Sequence, residues 1–448
     1  MTTRNTTAAA LSAGQRARLD RDSRWRARGL TVNYNVTETV ALSPAVRSDA
    51  VRLAVGDVVW RHPALRTVVN PDLATCTVLD EADIAVAVVE VGALDGPEAE
   101  EVLRQERETA IDAIAGPPFR AILLRSPDGS GTLAYTVEHL FADAASVRTI
   151  NRDFLRAYRH RLAGGSSPVW DEQARGYHEY ASWESEVLQS DEGERRLRFW
   201  RAMLDPQQAL PEFRLPGAVV PSLRDRTSVR SQLTLGRSPR EVLAAAQSMG
   251  VQPQTILATA VMLAMHLVSG TQVPGIVGPI DARRGKWRTT VGWFSTVLPL
   301  RAALVSEDPC VDLVQKVSAA LTGSIANLLP PAHIVGELDP QRDRRRIWRP
   351  RVYLDSVYAG ADPSWSSPEE ARNRLLNDDF TVKDGLVCLV AFTSRTVELL
   401  VLGERGSISQ AQLDEFSALV GRCLEQLSAD ASITVEELRA AVSGREPG

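Results

Sequence analysis

Cysteine is scarce in the 448-residue chain. Cys76, Cys310, Cys388 and Cys423 lie far apart and form no Cys-x-x-Cys pair. That spacing excludes a disulfide scaffold, argues against a structural zinc site and fits a reducing compartment. Only six histidines occur, at positions 62, 139, 160, 178, 266 and 333, and none stands at ligand spacing from another His or Cys. Zinc chemistry is not expected. The chain has no Gly-x-Ser-x-Gly elbow, no Gly-x-x-x-x-Gly-Lys phosphate loop, no Gly-x-Gly-x-x-Gly and no His-Glu-x-x-His, so the commonest catalytic signatures are absent. Positive charge is not in excess: 51 Lys+Arg against 56 Asp+Glu give a net −5, which lacks the basic footprint of a nucleic-acid binder. The most apolar stretch, Ile256–Val268, falls short of the roughly 20 residues of a bilayer span. Met1–Gln15 carries one Arg and no apolar segment, so it does not read as a secretory signal. A soluble, cytoplasmic protein is expected, without nucleic-acid or membrane partners.

What is present is an ordinary globular balance, 44% hydrophobic and 24% charged, in a length that suits about two to three domain-sized units. Gly131–Val137 alternates as a strand, and Val147, Ile150, Phe154, Leu155, Tyr158 and Leu162 recur at helical spacing directly after it. Pro206–Asp225 reads as a linker. Beyond it, Val229–Leu235 is strand-like and Ser238-Pro239-Arg240-Glu241 is a helix start. Gln254–Ser269 is apolar nearly all round, hence buried, and Gly270 stops it. A helix capped by Asp308-Pro309 runs to about Leu328. Strands are expected at Arg351–Tyr358, Leu386–Thr393 and Val397–Leu402, and a late helix at Ser409–Leu427. The expected architecture is two α/β lobes, residues 1–204 and 205–448, with a shared interface of the kind where ligand sites form.

One segment carries chemistry: Val137-Glu138-His139-Leu140-Phe141-Ala142-Asp143-Ala144-Ala145-Ser146, at a strand-to-helix junction. A His just past a strand end is open to a substrate, and imidazole accepts a proton near neutral pH. Asp143 either orients that ring or caps the following helix.

This segment resembles the His-His-x-x-x-Asp-Gly signature of the condensation domains of nonribosomal peptide synthetases, in the chloramphenicol-acetyltransferase-like superfamily. Five further elements match in the family's order: Leu11–Arg16, Arg61–Thr67, Tyr177–Trp183, Val291–Arg301 and, more loosely, Glu337–Asp343. The resemblance implies two acetyltransferase-like lobes in a V-shaped pseudo-dimer crossed by a tunnel, with the lobe of residues 1–204 carrying the His motif. It implies that His139 acts as general base or positions the acceptor. It also implies a structural ion pair between Asp143 and either Arg283 or Arg284, and an active-site motif and tunnel that include Glu138, Ala144, Ser146, Gly292, Trp293 and Ser295.

The implied reaction joins an acyl or aminoacyl group, carried as a thioester on the phosphopantetheine of a carrier protein, to an amine or hydroxyl. No bound cofactor is implied. The chain, which opens with Met1 and closes in a polar tail, reads as a free-standing condensation enzyme of nonribosomal peptide or related natural-product biosynthesis. The rival readings are a coenzyme A-dependent acyltransferase of the same superfamily, a non-catalytic recruitment domain, and an epimerase of the same fold. Two positions depart from the signature. Glu138 replaces the first His and is expected to point to solvent, and Ala144 replaces Gly and adds a methyl to the loop. His62 and His178 are read as packing residues, His266 as a hydrogen-bonded core residue, and the Arg342–Arg351 charge run as a solvated face.

Overall fold

In Gly131–Glu138 the outward-alternating residues Ala134 and Thr136 are as uncharged as Leu133, Tyr135 and Val137, so this strand needs cover on both faces. The computed structural model of the chain supplies it. It describes residues 6–443 except 28, 30–32, 43–44, 71, 73, 81, 83, 169, 205–212, 220–227, 339–350 and 359–384. The chain divides into two compact units.

The first unit comprises Met1–Glu194 and Asp281–Thr296. Its strands are β1 (Thr6–Ala10), β2 (Asn35–Leu42), β3 (Thr67–Val69), β4 (Thr75–Leu79), β5 (Val86–Glu90), β6 (Phe119–Arg125) and β7 (Gly131–Glu138). Its helices are α1 (Ala13–Arg26), α2 (Ser48–Arg61), α3 (Pro97–Glu108), α4 (Ala144–Leu162) and α5 (Tyr177–Leu188), followed by α6 (Asp191–Met203), which runs into the second unit. A four-stranded sheet has the order β2-β7-β6-β5, antiparallel except for the parallel β5–β6 pair, and β1-β4-β3 form a small antiparallel sheet. Leu133, Tyr135 and Val137 pack in one core with Val51, Val55 and Phe154 of α2 and α4. Ala134 packs on the other face with Ile122, Leu124 and Ala99 of α3.

The second unit comprises Arg195–Ile280 and Val297–Gly448. It contains β8 (Ser228–Thr234), β9 (Gly275–Asp281), β10 (Ser295–Arg301), β11 (Arg351–Tyr358), β12 (Gly385–Phe392) and β13 (Val397–Glu404), in the sheet order β10-β9-β11-β12-β13-β8. β9, β11 and β12 run parallel, and β13 and β8 continue antiparallel. Its further helices are α7 (Pro239–Ser248), α8 (Pro253–Ser269), α9 (Cys310–Ala326), α10 (Pro331–Leu338), α11 (Gln410–Ala429) and α12 (Val435–Ser443). Thr255–His266 is buried without interruption, and Gly270 closes α8 in the left-handed conformation with φ 70°. Capping boxes start α7 at Ser238 and Glu241 and α11 at Ser409 and Gln412. The cap of α9 differs from expectation. Pro309 holds that position without a side-chain bond, while Asp308 pairs with Lys316 at 2.8 Å.

The expected division at residue 204 and the compact division differ in two places. Residues 195–204 belong with the second unit, and Asp281–Thr296 belongs with the first. Most of the expected linker Pro206–Asp225, the charge run as far as Pro350, the Glu337–Asp343 element beyond Leu338 and the tail after Ser443 lie outside the described residues. Among the described residues no single helix is long and apolar enough to cross a membrane, and no group of His, Cys, Asp and Glu could hold a metal ion.

Candidate active site

Four residues separate the end of β7 from the cap of α4. His139 lies in that short loop, half-buried. Its backbone N–H donates to the Tyr34 carbonyl (3.0 Å), and its ring Nδ1 lies 2.6 Å from the Ala142 carbonyl oxygen. A carbonyl only accepts, so Nδ1 carries the proton and a neutral ring presents a bare lone pair at Nε2. Nε2 has no protein partner among the described residues. The Trp293 indole stands beside the ring, with centroids 5.8 Å apart and planes inclined by 59°.

Asp143 is the N-cap of α4, accepting from the Ser146 N–H at 2.9 Å. It is also the anchor of the Asp281–Thr296 segment. Arg283 donates to both carboxylate oxygens, at 2.7 and 2.9 Å, and the Phe294 and Ser295 N–H groups donate to Oδ2 at 2.8 and 2.9 Å. Burial by itself would raise this carboxyl, yet the Arg283 charge and these hydrogen bonds hold it below the usual carboxylate range. Arg283 is completed by the Thr290 and Gly292 carbonyls and by Asp281. Ser146, fully buried, accepts from Arg283 Nη2 (2.7 Å) and the Gly292 N–H (3.0 Å). The alternative left open by spacing is resolved. Arg284 is exposed and donates to the Asp281 and Arg283 carbonyls instead of to Asp143.

Glu138 corrects the expectation that it faces solvent. It is buried, pairs with Arg18 of α1 and accepts from the Leu140 N–H in the His139 loop. The physical reason is the buried Arg18 guanidinium, which needs an anion there beyond Asp22 (3.2 Å). Arg18 also lies over the Tyr34 ring, 4.3 Å from its centroid. Ala144, the first residue of α4, is exposed. Gly292 has a steric reason: a Cβ there would fall 2.1 Å from the Tyr177 ring. Tyr177 donates its hydroxyl hydrogen to the Trp293 carbonyl at 2.6 Å.

His139, Asp143, Arg283, Ser146, Gly292, Trp293 and Ser295 therefore converge within the first unit, and Arg284 does not. Sequence reasoning missed Arg18 and Gln15, whose Nε2 donates to the Leu140 carbonyl at 2.8 Å. The available signal for Gln15 was its place in the Leu11–Arg16 element; Arg18 lies beyond that element, three residues on along the same helix face. His62 is buried against Asp153 (3.0 Å), and His266 donates from Nδ1 to the Thr271 carbonyl (2.9 Å) while accepting from Arg439, as packing and core readings require.

Comparison with known proteins matches the family model of the condensation domain to residues 27–358. A probable non-canonical nonribosomal peptide synthetase, CymA of Salinispora arenicola, is 30% identical over 332 residues, covering 70% of this chain and 4% of that protein. The chain thus spans a small fraction of the curated relatives it matches. Among solved structures, the condensation domain from the monacolin K polyketide synthase MokA aligns with TM-score 0.74 and 15% identity over 96% of this chain and 99% of that one. The X-domain from teicoplanin biosynthesis aligns with TM-score 0.75 and 18% identity over 95% and 96%. The fold is accordingly the two-lobed, chloramphenicol-acetyltransferase-like fold of those domains. With the family's model extending over most of its length, the chain belongs to the condensation-domain family.

Proposed function

We propose that this chain catalyses condensation of a carrier-protein-bound acyl or aminoacyl thioester with an amine in natural-product biosynthesis, or with a hydroxyl in the ester-forming variant. The observation that carries the reading is the Nδ1–H to Ala142 bond, which leaves Nε2 as the accepting atom of His139. The acceptor amine attacks the thioester carbonyl, and a C–N bond forms as the C–S bond breaks. The proton passes from the attacking nitrogen to Nε2 and on to the departing thiolate of the phosphopantetheine arm. A thioester is already activated, so a positioned base suffices without a covalent enzyme intermediate. Asp143 and Arg283 touch no reacting atom in this scheme; they hold the loop that carries His139.

His139→Ala is expected to lower product formation at least about tenfold, the low side of general-base effects, with an unchanged circular dichroism spectrum. Mass spectrometry of products from candidate carrier-loaded donors, offered amine and hydroxyl acceptors in parallel, reads both the reaction and the bond type. Equal rates in the two proteins would remove His139 from the mechanism. A second reading, a module that holds a partner protein, draws on the likeness to the teicoplanin X-domain, which has been solved as a complex with OxyB. Undiminished pathway output from the His139→Ala protein would select it.

A further inference from the structure

Attack on a thioester puts negative charge on its carbonyl oxygen, and a base that takes the nucleophile's proton does nothing for that oxygen. The two guanidinium groups that hold the His139 loop are already committed. Arg18 is buried on Glu138 and Asp22, and Arg283 is buried on Asp143 and Asp281. The donor that remains beside the imidazole is neutral: the indole N–H of Trp293. This side chain is half-buried, and its Nε1–H makes no hydrogen bond among the described residues. A Trp N–H taken out of water ordinarily finds a partner.

The indole is fixed as firmly as the imidazole, and wholly within the first unit. Its backbone is pinned on both sides. The Gly292 N–H donates to Ser146 Oγ at 3.0 Å, the Trp293 carbonyl accepts from Tyr177, and the Phe294 and Ser295 N–H groups donate to Asp143. The ring itself rests against α1. Its Cζ3 atom lies 4.0 Å from where a Cβ on Gly14 would stand, and the Arg18 guanidinium is 5.7 Å from its centroid. Cζ3 is diagonally across the indole from Nε1, so the polar edge lies on the far side of the ring from Gly14. His139 is anchored in the same manner, at Nδ1 by the Ala142 carbonyl, with Nε2 on the opposite side of its ring. The two rings stand 5.8 Å apart, inclined by 59°, and no hydrogen bond joins them. One unpaired acceptor and one unpaired donor thus sit on adjacent, separately anchored rings.

We propose that Trp293 is a second catalytic residue, whose Nε1–H donates to the thioester carbonyl oxygen while His139 Nε2 takes the proton of the attacking amine or hydroxyl. As the new C–N or C–O bond forms, the carbonyl π pair moves onto oxygen and the N–H···O bond strengthens; no proton leaves the indole. The pair returns as the C–S bond breaks, and the departing thiolate takes the proton from His139. A donor fixed before the reaction needs no reorganisation when the charge appears, so it acts on the transition state more than on the bound substrate. The proposal rests on the condensation reading for the identity of the reacting carbonyl.

The test is steady-state kinetics with the carrier-loaded donor and the acceptor that give product in the mass-spectrometric screen above. Replacing Trp293 by 3-benzothienylalanine puts sulfur in place of the N–H and keeps the shape of the ring. That protein is expected to lose at least about tenfold in kcat with KM unchanged and the thermal midpoint of wild type. Trp293→Phe is expected to lose as much, and it carries the test alone if the sulfur isostere fails to fold. A kcat within about twofold of wild type, or a rise in KM with kcat intact, would overturn the proposal and make the indole a wall of the site. The two ideas fail separately. Wild-type product that persists undiminished in the isostere sinks the donor and spares the condensation reading. A wild type that forms no product from any donor and acceptor pair sinks both.

Discussion

Asp143 concentrates the electrostatics of the candidate site. Taking its carboxylate out of water is costly, and the bidentate Arg283 fork with two further backbone N–H donors offsets that cost. The result is a carboxyl below its ordinary range. A carboxyl depressed in the folded state contributes stability in full above its unfolded value, near 3.9. That contribution is lost as pH falls through the lower folded value. Asp143→Asn is therefore expected to be less stable than wild type by on the order of 3 kcal/mol at pH 7, with the gap closing only below about pH 4. Urea unfolding of both proteins across pH 7 to pH 3 measures this. A gap that persists undiminished in acid would assign the loss to the cap hydrogen bond and not to the ion pair.

At the scale of elements, the short loop after β7 is held from two sides. Asp143 fixes its far end to Asp281–Thr296, and Arg18 and Gln15 of α1 fix its near end through Glu138 and the Leu140 carbonyl. Removing Arg18 alone strands a buried carboxylate, which by general experience costs about 3–5 kcal/mol. Replacing both partners by apolar residues avoids that penalty for Glu138, and Asp22, the other carboxylate on Arg18, keeps its pair with Arg21 at 2.9 Å. Arg18→Met is thus expected to lower the thermal midpoint well below that of Arg18→Met with Glu138→Leu, as measured by circular dichroism melts; a double variant no better than the single would break the argument.

Local signals made most elements legible in the sequence. The Ser238 and Ser409 capping boxes, the apolar run of α8 and the alternation of β7 each act within a few residues, and each forms as read. What was not legible depends on partners far along the chain. Nothing within ten residues of Glu138 reveals a buried Arg18, and nothing near Asp143 distinguishes Arg283 from Arg284. The choice is made by the turn after β9, which buries the first and exposes the second.

At the scale of the whole molecule, the first unit is discontinuous: sixteen residues that complete it, Asp281–Thr296, arrive after 86 residues of the second unit, Arg195–Ile280. Those sixteen bring Arg283 to Asp143. They also bring Phe294 into an aromatic cluster, 4.8 Å from Tyr177 and 4.6 Å from Tyr180 between ring centroids, and Gly292 against Tyr177. A chain cut at residue 204 keeps every strand and helix of the first unit, yet leaves the Asp143 carboxylate buried without its cation and the cluster without the Phe294 and Trp287 rings that pack on Tyr180. Local propensity cannot replace either, because both are long-range tertiary terms. Residues 1–204 alone are therefore expected to lack a cooperative urea transition, and synthetic peptide 281–296 in excess is expected to restore part of it. Binding by mass action to the folded form alone is what makes such rescue possible. A fragment that unfolds as cooperatively without the peptide as with it would mean that the returning segment decorates the first unit instead of completing it.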